Sequence, residues 1–158
     1  MQHIQCPDLW HPETMEECRK ALFLAGGITG CGDWQNEMVD MLDATDLILL
    51  NPRRDDFPDD PTQAEAETPW QIEWEFIHLR QARARLFWFP SATLCPITLF
   101  ELGTVCAKSD VLFVGVDKQY KRKIDIDHQL KLSRPWDCRV SASIKQLVNR
   151  VKSWAKTL

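Results

Sequence analysis
The first information in this sequence is what it withholds. No apolar run approaches the ~20 residues that a membrane-spanning helix needs. Residues 1–11 are polar and lack the basic start and apolar stretch of a secretory leader. No membrane partner is therefore expected. Positive charge is not in excess either: 19 Lys and Arg stand against 23 Asp and Glu, a formal charge of −4. A nucleic acid polymer attracts a basic footprint, so that partner class is set aside. The six cysteines form no C-x-x-C pair, and the four histidines make no metal-ligand spacing with them. The expectation is no metal, no cofactor, and reduced thiols in a cytoplasmic protein. The dinucleotide fingerprint G-x-G-x-x-G and the Gly-Lys-Ser/Thr of a Walker A loop are both missing. Internal repeats and low-complexity segments are missing as well.

What remains is a chain of 158 residues, 44% hydrophobic, enough for one domain with a sizeable core. Residues 1–20 have no clear period and read as an N-terminal extension; residues 21–158 read as the domain. Short continuous apolar runs, the mark of strands buried on both faces, occur at 21–25, 46–50, 85–89 and 111–116, and Val140 ends a brief fifth. Helical spacing falls between them. Asp33 caps a helix through Leu42, and Ser141 caps a last one carrying Ile144, Leu147, Val148, Val151 and Trp154. Strands alternating with helices predict a three-layer α/β fold: a parallel sheet of about five strands with helices on both faces.

Ligands of open α/β sheets bind beyond the carboxyl ends of the strands. Three stretches fall there. Gly26-Gly27-Ile28-Thr29-Gly30-Cys31-Gly32 follows the first strand, with four glycines in seven residues that permit a tight turn and close approach to backbone N–H groups. Asn51-Pro52-Arg53-Arg54 ends the second; its arginines suit either a phosphate or carboxylate, or surface salt bridges. After the third strand and the loop 91–95, Pro96 opens a helix that carries Glu101. Glu101 is either a solvated, dipole-stabilised group or a reactive carboxylate aimed into a crevice. Cys95 is the one thiol in this loop to test for reactivity. The basic run 118–123 reads as a solvated turn before a phosphate site.

Residues 55–67 read as an acidic loop. Thr68-Pro69-Trp70-Gln71 then reads as a helix start, with Thr68 as cap and Pro69 in the first turn. This helix, through about Arg83, carries one apolar stripe of Trp70, Trp74 and Ile77 and an opposite one of Ile72, Phe76 and Leu79. The sheet is expected to cover one, and a second subunit or the long loop the other. Between the stripes, Gln71, Glu75 and His78 point into a cleft or form a solvated strip.

Taken in order, Phe23-Leu24-Ala25-Gly26-Gly27-Ile28-Thr29, Asn51-Pro52-Arg53-Arg54, Gln71-x-x-Trp74-Glu75, Phe87-Trp88-Phe89-Pro90, Thr98-Leu99-Phe100-Glu101-Leu102-Gly103 and Tyr120-x-Arg122-x-x-Asp125-x-x-x-Gln129 resemble the nucleoside 2-deoxyribosyltransferase-like family. The resemblance implies a flavodoxin-like (Rossmann-like) fold, a homodimer or higher homo-oligomer, and action on the N-glycosidic bond of a small-molecule nucleoside or nucleotide. It implies Glu101 as nucleophile; Glu75 is the candidate catalytic partner, with Gln71 or Asn51 as the other candidate donors to the departing base. It implies substrate contacts at Gly26, Gly27 and Ile28, and at Asp125 and Gln129 from a neighbouring subunit; Asn51, Arg53, Gln71 and Thr98 are further candidate substrate contacts, Arg53 for a 5′-phosphate. The chain departs from relatives at two places. An Ala-Asp pair common before the third strand reads Ala82-Arg83, and residues 91–95 contain no carboxylate. Glu75 or Glu73 must then supply any second carboxylate. The competing class is a non-catalytic nucleotide-sensing module on the same fold.

Overall fold
The computed structural model describes residues 1–58, 60–108 and 111–158. Asp59, within the stretch read as a loop, lies outside them. Elements follow in the order β1 (Gln2–Gln5), α1 (Met15–Lys20), β2 (Ala21–Gly26), α2 (Trp34–Leu42), β3 (Ile48–Asn51), α3 (Pro61–Gln81), β4 (Ala84–Phe89), α4 (Pro96–Val105), β5 (Val111–Val116), α5 (Lys123–Ser133), β6 (Val140–Ser141) and α6 (Ile144–Ala155). The six strands form one sheet in the order β1-β3-β2-β4-β5-β6, and every pairing is parallel. The expected architecture is present, with six strands instead of five. The extra strand is β1, whose sequence Gln-His-Ile-Gln shows no apolar run. Backbone pairing from Gln2↔Ile48 to Gln5↔Asn51 makes it a strand at the sheet edge, where only partial burial is required.

Period-two alternation sorts the strand residues into two cores. Ala21, Phe23, Ala25, Leu50, Phe87 and Phe89 face α3, α4 and α5 through Trp74, Leu79, Leu102, Val105, Ile126 and Leu130. Leu22, Leu24, Leu49, Leu86 and Trp88 face α2 and α6 through Trp34, Met38, Leu42, Leu147, Val148 and Val151. Helices thus cover both faces. Among the described residues no helix is long and apolar enough to cross a membrane, and the six cysteines are free thiols.

Two helix starts differ from expectation. α3 begins at Pro61, where Asp60 accepts from the Thr62 and Gln63 amides, so most of the expected loop is helical. Pro69 sits inside the helix; it lacks an N–H, and the Thr68 hydroxyl bonds the Ala64 carbonyl at 2.7 Å. For α6 the cap is Ser143, which accepts from Gln146 N, while Ser141 belongs to β6. The two-stripe reading of α3 also changes. Trp74, His78 and Leu79 are buried, whereas Trp70, Ile72, Phe76 and Ile77 are exposed on the single chain. The sheet covers the face that carries Gln71, Trp74 and His78.

Candidate active site
The chain runs from β2 to β3 in one direction along the sheet and from β3 to β4 in the other. The reversal leaves a crevice beyond the carboxyl ends of β2 and β4. A pocket of about 340 Å³ lies there. Its floor is Phe23 and Ala25 of β2, and its rim includes Gly26, Gly27, Ile28 and Thr29. Pro52, after β3, and Thr93 and Cys95, before α4, close two sides. α4 contributes Ile97, Thr98 and Glu101, which share one helix face by their three- and four-residue spacing, and α3 contributes Glu75.

Backbone packing explains why the turn after β2 is built from glycine. A Cβ at Gly26 would lie 2.3 Å from Trp34 Cζ2 and 2.6 Å from the Trp88 carbonyl oxygen. One at Gly27 would lie 2.8 Å from Cys95 Sγ and 2.9 Å from Cys31 Sγ. The Trp34 indole N–H donates to the Gly27 carbonyl at 2.8 Å. The bare glycine faces are therefore filled by the protein's own side chains, which hold the turn against the loop before α4. That loop is pinned in turn by the Tyr120 hydroxyl, which donates to the Leu94 carbonyl at 2.7 Å. Cys95 takes a left-handed conformation (φ 47°, ψ 56°) as the residue before Pro96. Burial pushes its thiol up to about 11, which makes it a poor nucleophile rather than a reactive one.

The two carboxyl groups determine the electrostatics. Glu101 lies in the second turn of α4, beyond the free N–H groups of the helix start. Burial, then the neighbouring Glu75 carboxyl, push its pKa up to about 8; Arg80 opposes this. The readily ionised helix-start glutamate expected from sequence is thus replaced by a half-buried, proton-retaining one. Burial also raises Glu75, against a hydrogen bond from Gln71. Among the described residues the Glu101 carboxyl makes no hydrogen bond or ion pair within the chain. Two such groups titrate as a pair, and near neutral pH Glu101 retains a proton that an isolated carboxylate would have lost.

The other candidate residues fall into two groups. Gly26, Gly27, Ile28 and Thr98 line the pocket with Glu75 and Glu101. Gln71 borders it but is engaged within the chain: its Nε2 donates to the Pro52 carbonyl and to Glu75 Oε1, both at 2.8 Å. Asn51 is buried, lies 3.2 Å through Nδ2 from His3 Nε2, and accepts from the Arg53 amide. The Arg53 guanidinium donates to the Gly32 carbonyl and Gln35 Oε1, and lies 3.5 Å from Asp33. It braces the glycine turn from beneath. Arg54 pairs with Asp56 and Glu67. Asp125 and Gln129 line a separate groove between α4 and α5, and Asp125 pairs with Arg122. Glu73 is exposed, so Glu75 is the second carboxyl of the pocket. Sequence reasoning did not name Thr29, Pro52 or Thr93 as site residues. All three follow β2, β3 or β4 at the carboxyl edge, and that position is the signal that would have found them.

A family model described as nucleoside 2-deoxyribosyltransferase like matches residues 19–120. The chain belongs to the nucleoside 2-deoxyribosyltransferase-like family. The matched span runs from the end of α1 through β5 to Tyr120 and includes every residue that lines the pocket. It leaves out β1, α5, β6 and α6. No curated protein matches the chain.

Proposed function
We propose that the protein cleaves the N-glycosidic bond of a (deoxy)nucleoside, with Glu101 as nucleophile and Glu75 as general acid. The deoxyribosyl group then passes to another base or to water. The observation that carries this reading is the meeting of two carboxyl groups, both raised, in one pocket at the sheet's switch point. The Glu75 charge opposes ionisation of Glu101, so the resting pair holds its proton on Glu101. Passage of that proton to Glu75 removes the opposing charge and leaves Glu101 ionised as nucleophile and Glu75 protonated as acid. A Glu101 oxygen bonds to the anomeric carbon while the carbon–nitrogen bond breaks. The bonding pair stays with the base nitrogen, and the proton of Glu75 neutralises the leaving base. The incoming base or water then displaces Glu101 and returns a proton to Glu75. Arg53 and Arg54 are held by partners within the chain, which favours a nucleoside over a 5′-nucleotide as substrate.

Product analysis with radiolabelled deoxynucleosides tests this. Exchange onto an acceptor base identifies a transferase, and free sugar without exchange identifies a hydrolase. One observation favours a second reading, a non-catalytic nucleoside-binding module. A glutamic acid that keeps its proton up to about pH 8 can donate a hydrogen bond to a bound base without attacking it. Stoichiometric retention of intact nucleoside over long incubation would select that reading.

A further inference from the structure
We propose that Cys6 is a positioning residue for the pocket: its thiol orients the Gln71 carboxamide, which holds Oε1 of Glu75 and leaves Oε2 to carry the acidic proton. The role assigned to that proton rests on the function proposed above; the chain of contacts does not. Cys6 follows β1 and is 2% exposed. Its amide donates to the Asn51 carbonyl at 3.0 Å, extending the β1–β3 ladder by one residue. Its Sγ lies 3.0 Å from Gln71 Oε1. A glutamine amide has two N–H donors and one carbonyl oxygen. Here both donors are directed, to Pro52 and to Glu75, and the oxygen accepts the thiol. With every group of Gln71 assigned, the amide has one orientation.

The thiol acts in one sense only. Burial pushes its pKa up to about 12; Arg54 opposes this, while Glu75, Asp56 and Asp8 add to it. Cys6 therefore stays an S–H donor across the working range of any enzyme near neutral pH. The same segment grips α3 twice more. The Trp74 indole N–H donates to the Asp8 carbonyl at 2.8 Å. The Trp10 amide donates to His78 Nε2 at 3.1 Å, which leaves the proton on Nδ1 to meet the Trp74 carbonyl at 2.7 Å. Residues 6–10 thus run along the buried side of α3 past Gln71, Trp74 and His78. All of them precede the span 19–120 that the family model matches. An edge strand that sequence reading took for an extension delivers them there.

The groups facing Glu75 are Gln71 from its own helix, Cys6 from the N-terminal segment and Glu101 from α4. The test is the titration of Glu75 in full-length protein labelled with ¹³C at the glutamate carboxyl, its resonance assigned by Glu75→Gln. Gln71→Leu removes a hydrogen bond to the ionised form and should raise the Glu75 midpoint by about one pH unit. Cys6→Ala should raise it by a fraction of that, and Cys6→Ser, which keeps a donor, should restore the wild-type midpoint. Cys6→Val keeps the volume without the donor and should follow Cys6→Ala, which separates orientation from packing. A Glu75 midpoint unchanged in Gln71→Leu, or moved equally by Cys6→Ser and Cys6→Val, would overturn the proposal. The readout needs no turnover. Absence of bond cleavage with these shifts intact would defeat the functional reading and leave the positioning role standing.

Discussion
Against one face of the sheet, α6 lays Leu147, Val148 and Val151; against the other, α3 lays Trp74, His78 and Leu79, with Gln71 and Glu75 alongside. The strands between them are equally apolar on both sides, so the helices make the difference. α6 closes its side mainly with aliphatic groups that need no partner, while its Arg150 donates to the Arg139 carbonyl and Ser141 Oγ. α3 brings polar groups to the sheet, and each must be satisfied: His78 by Trp10 and Trp74, Gln71 by Cys6, Pro52 and Glu75. The aliphatic side stores stability. The polar side leaves a crevice in which burial shifts carboxyl groups away from their ordinary range.

The largest effect that would sharpen this contrast is expected on the polar side. Glu101→Gln should lower bond cleavage by roughly 10³-fold or more while leaving the melting temperature unchanged or higher, since a half-buried acid is replaced by a neutral isostere. Rate and thermal unfolding measured on the same preparation check both halves; full activity in this variant would remove the proposed mechanism. On the aliphatic side the pattern should invert. Leu147→Ala opens a void beside Gly115 and Trp88 and should cost about 2–5 kcal/mol in urea unfolding, with kcat/KM of the folded protein preserved. A comparable loss of activity would show that the two sides are not separable.

That division was only half legible beforehand. Leu22, Leu24, Leu49 and Leu86 lie in unbroken apolar runs, and such runs report a buried strand whatever packs on it. β1 was not legible, because Gln2–Gln5 is held by its backbone ladder rather than by apolar side chains. α3 was misplaced for a different reason. Asp60-Pro61 and Thr68-Pro69 carry the same start chemistry, and local rules cannot choose between them. Periodicity identified the strip of Gln71, Glu75 and His78 but not its side, since which face is covered depends on where the sheet lies. The glycines were recognised as a turn beside the site. Cys31 and Trp34 follow the turn directly, but its other neighbours, Trp88, Pro90 and Cys95, come from β4 and the loop after it, and only the fold brings those stretches together.

A smaller perturbation lies where those stretches meet. Gly27→Ala would place a methyl 2.8 Å from Cys95 Sγ and 3.0 Å from Pro90 Cγ. Overpacking of this kind costs about 1–3 kcal/mol. Because Cys95 precedes the helix that carries Glu101, KM should rise along with the loss of stability, unlike Leu147→Ala. Steady-state kinetics paired with urea titration separate the two cases.

The weakest expected signal concerns protons alone. Folding raises the Glu101 pKa from the ordinary carboxylate range to about 8, so the folded state binds the proton more tightly than the unfolded chain. Stability from this group is fully present below the unfolded pKa and is lost as pH rises through the folded one. The Glu101 contribution to unfolding free energy should therefore decline between about pH 4.5 and 8, against a rise below about pH 6.5 from His3 and His78, whose pKa values burial lowers, and Glu101→Gln should remove the declining part. Of the neighbouring charges, Glu75 extends that pH window upward and Arg80 shortens it. Leu147→Ala should lower the whole curve without changing its slope, because nothing on the α6 side contributes to the Glu101 titration. Parallel curves for wild type and Glu101→Gln would mean that the carboxyl is solvated. The contrast between the two faces would then be one of packing only.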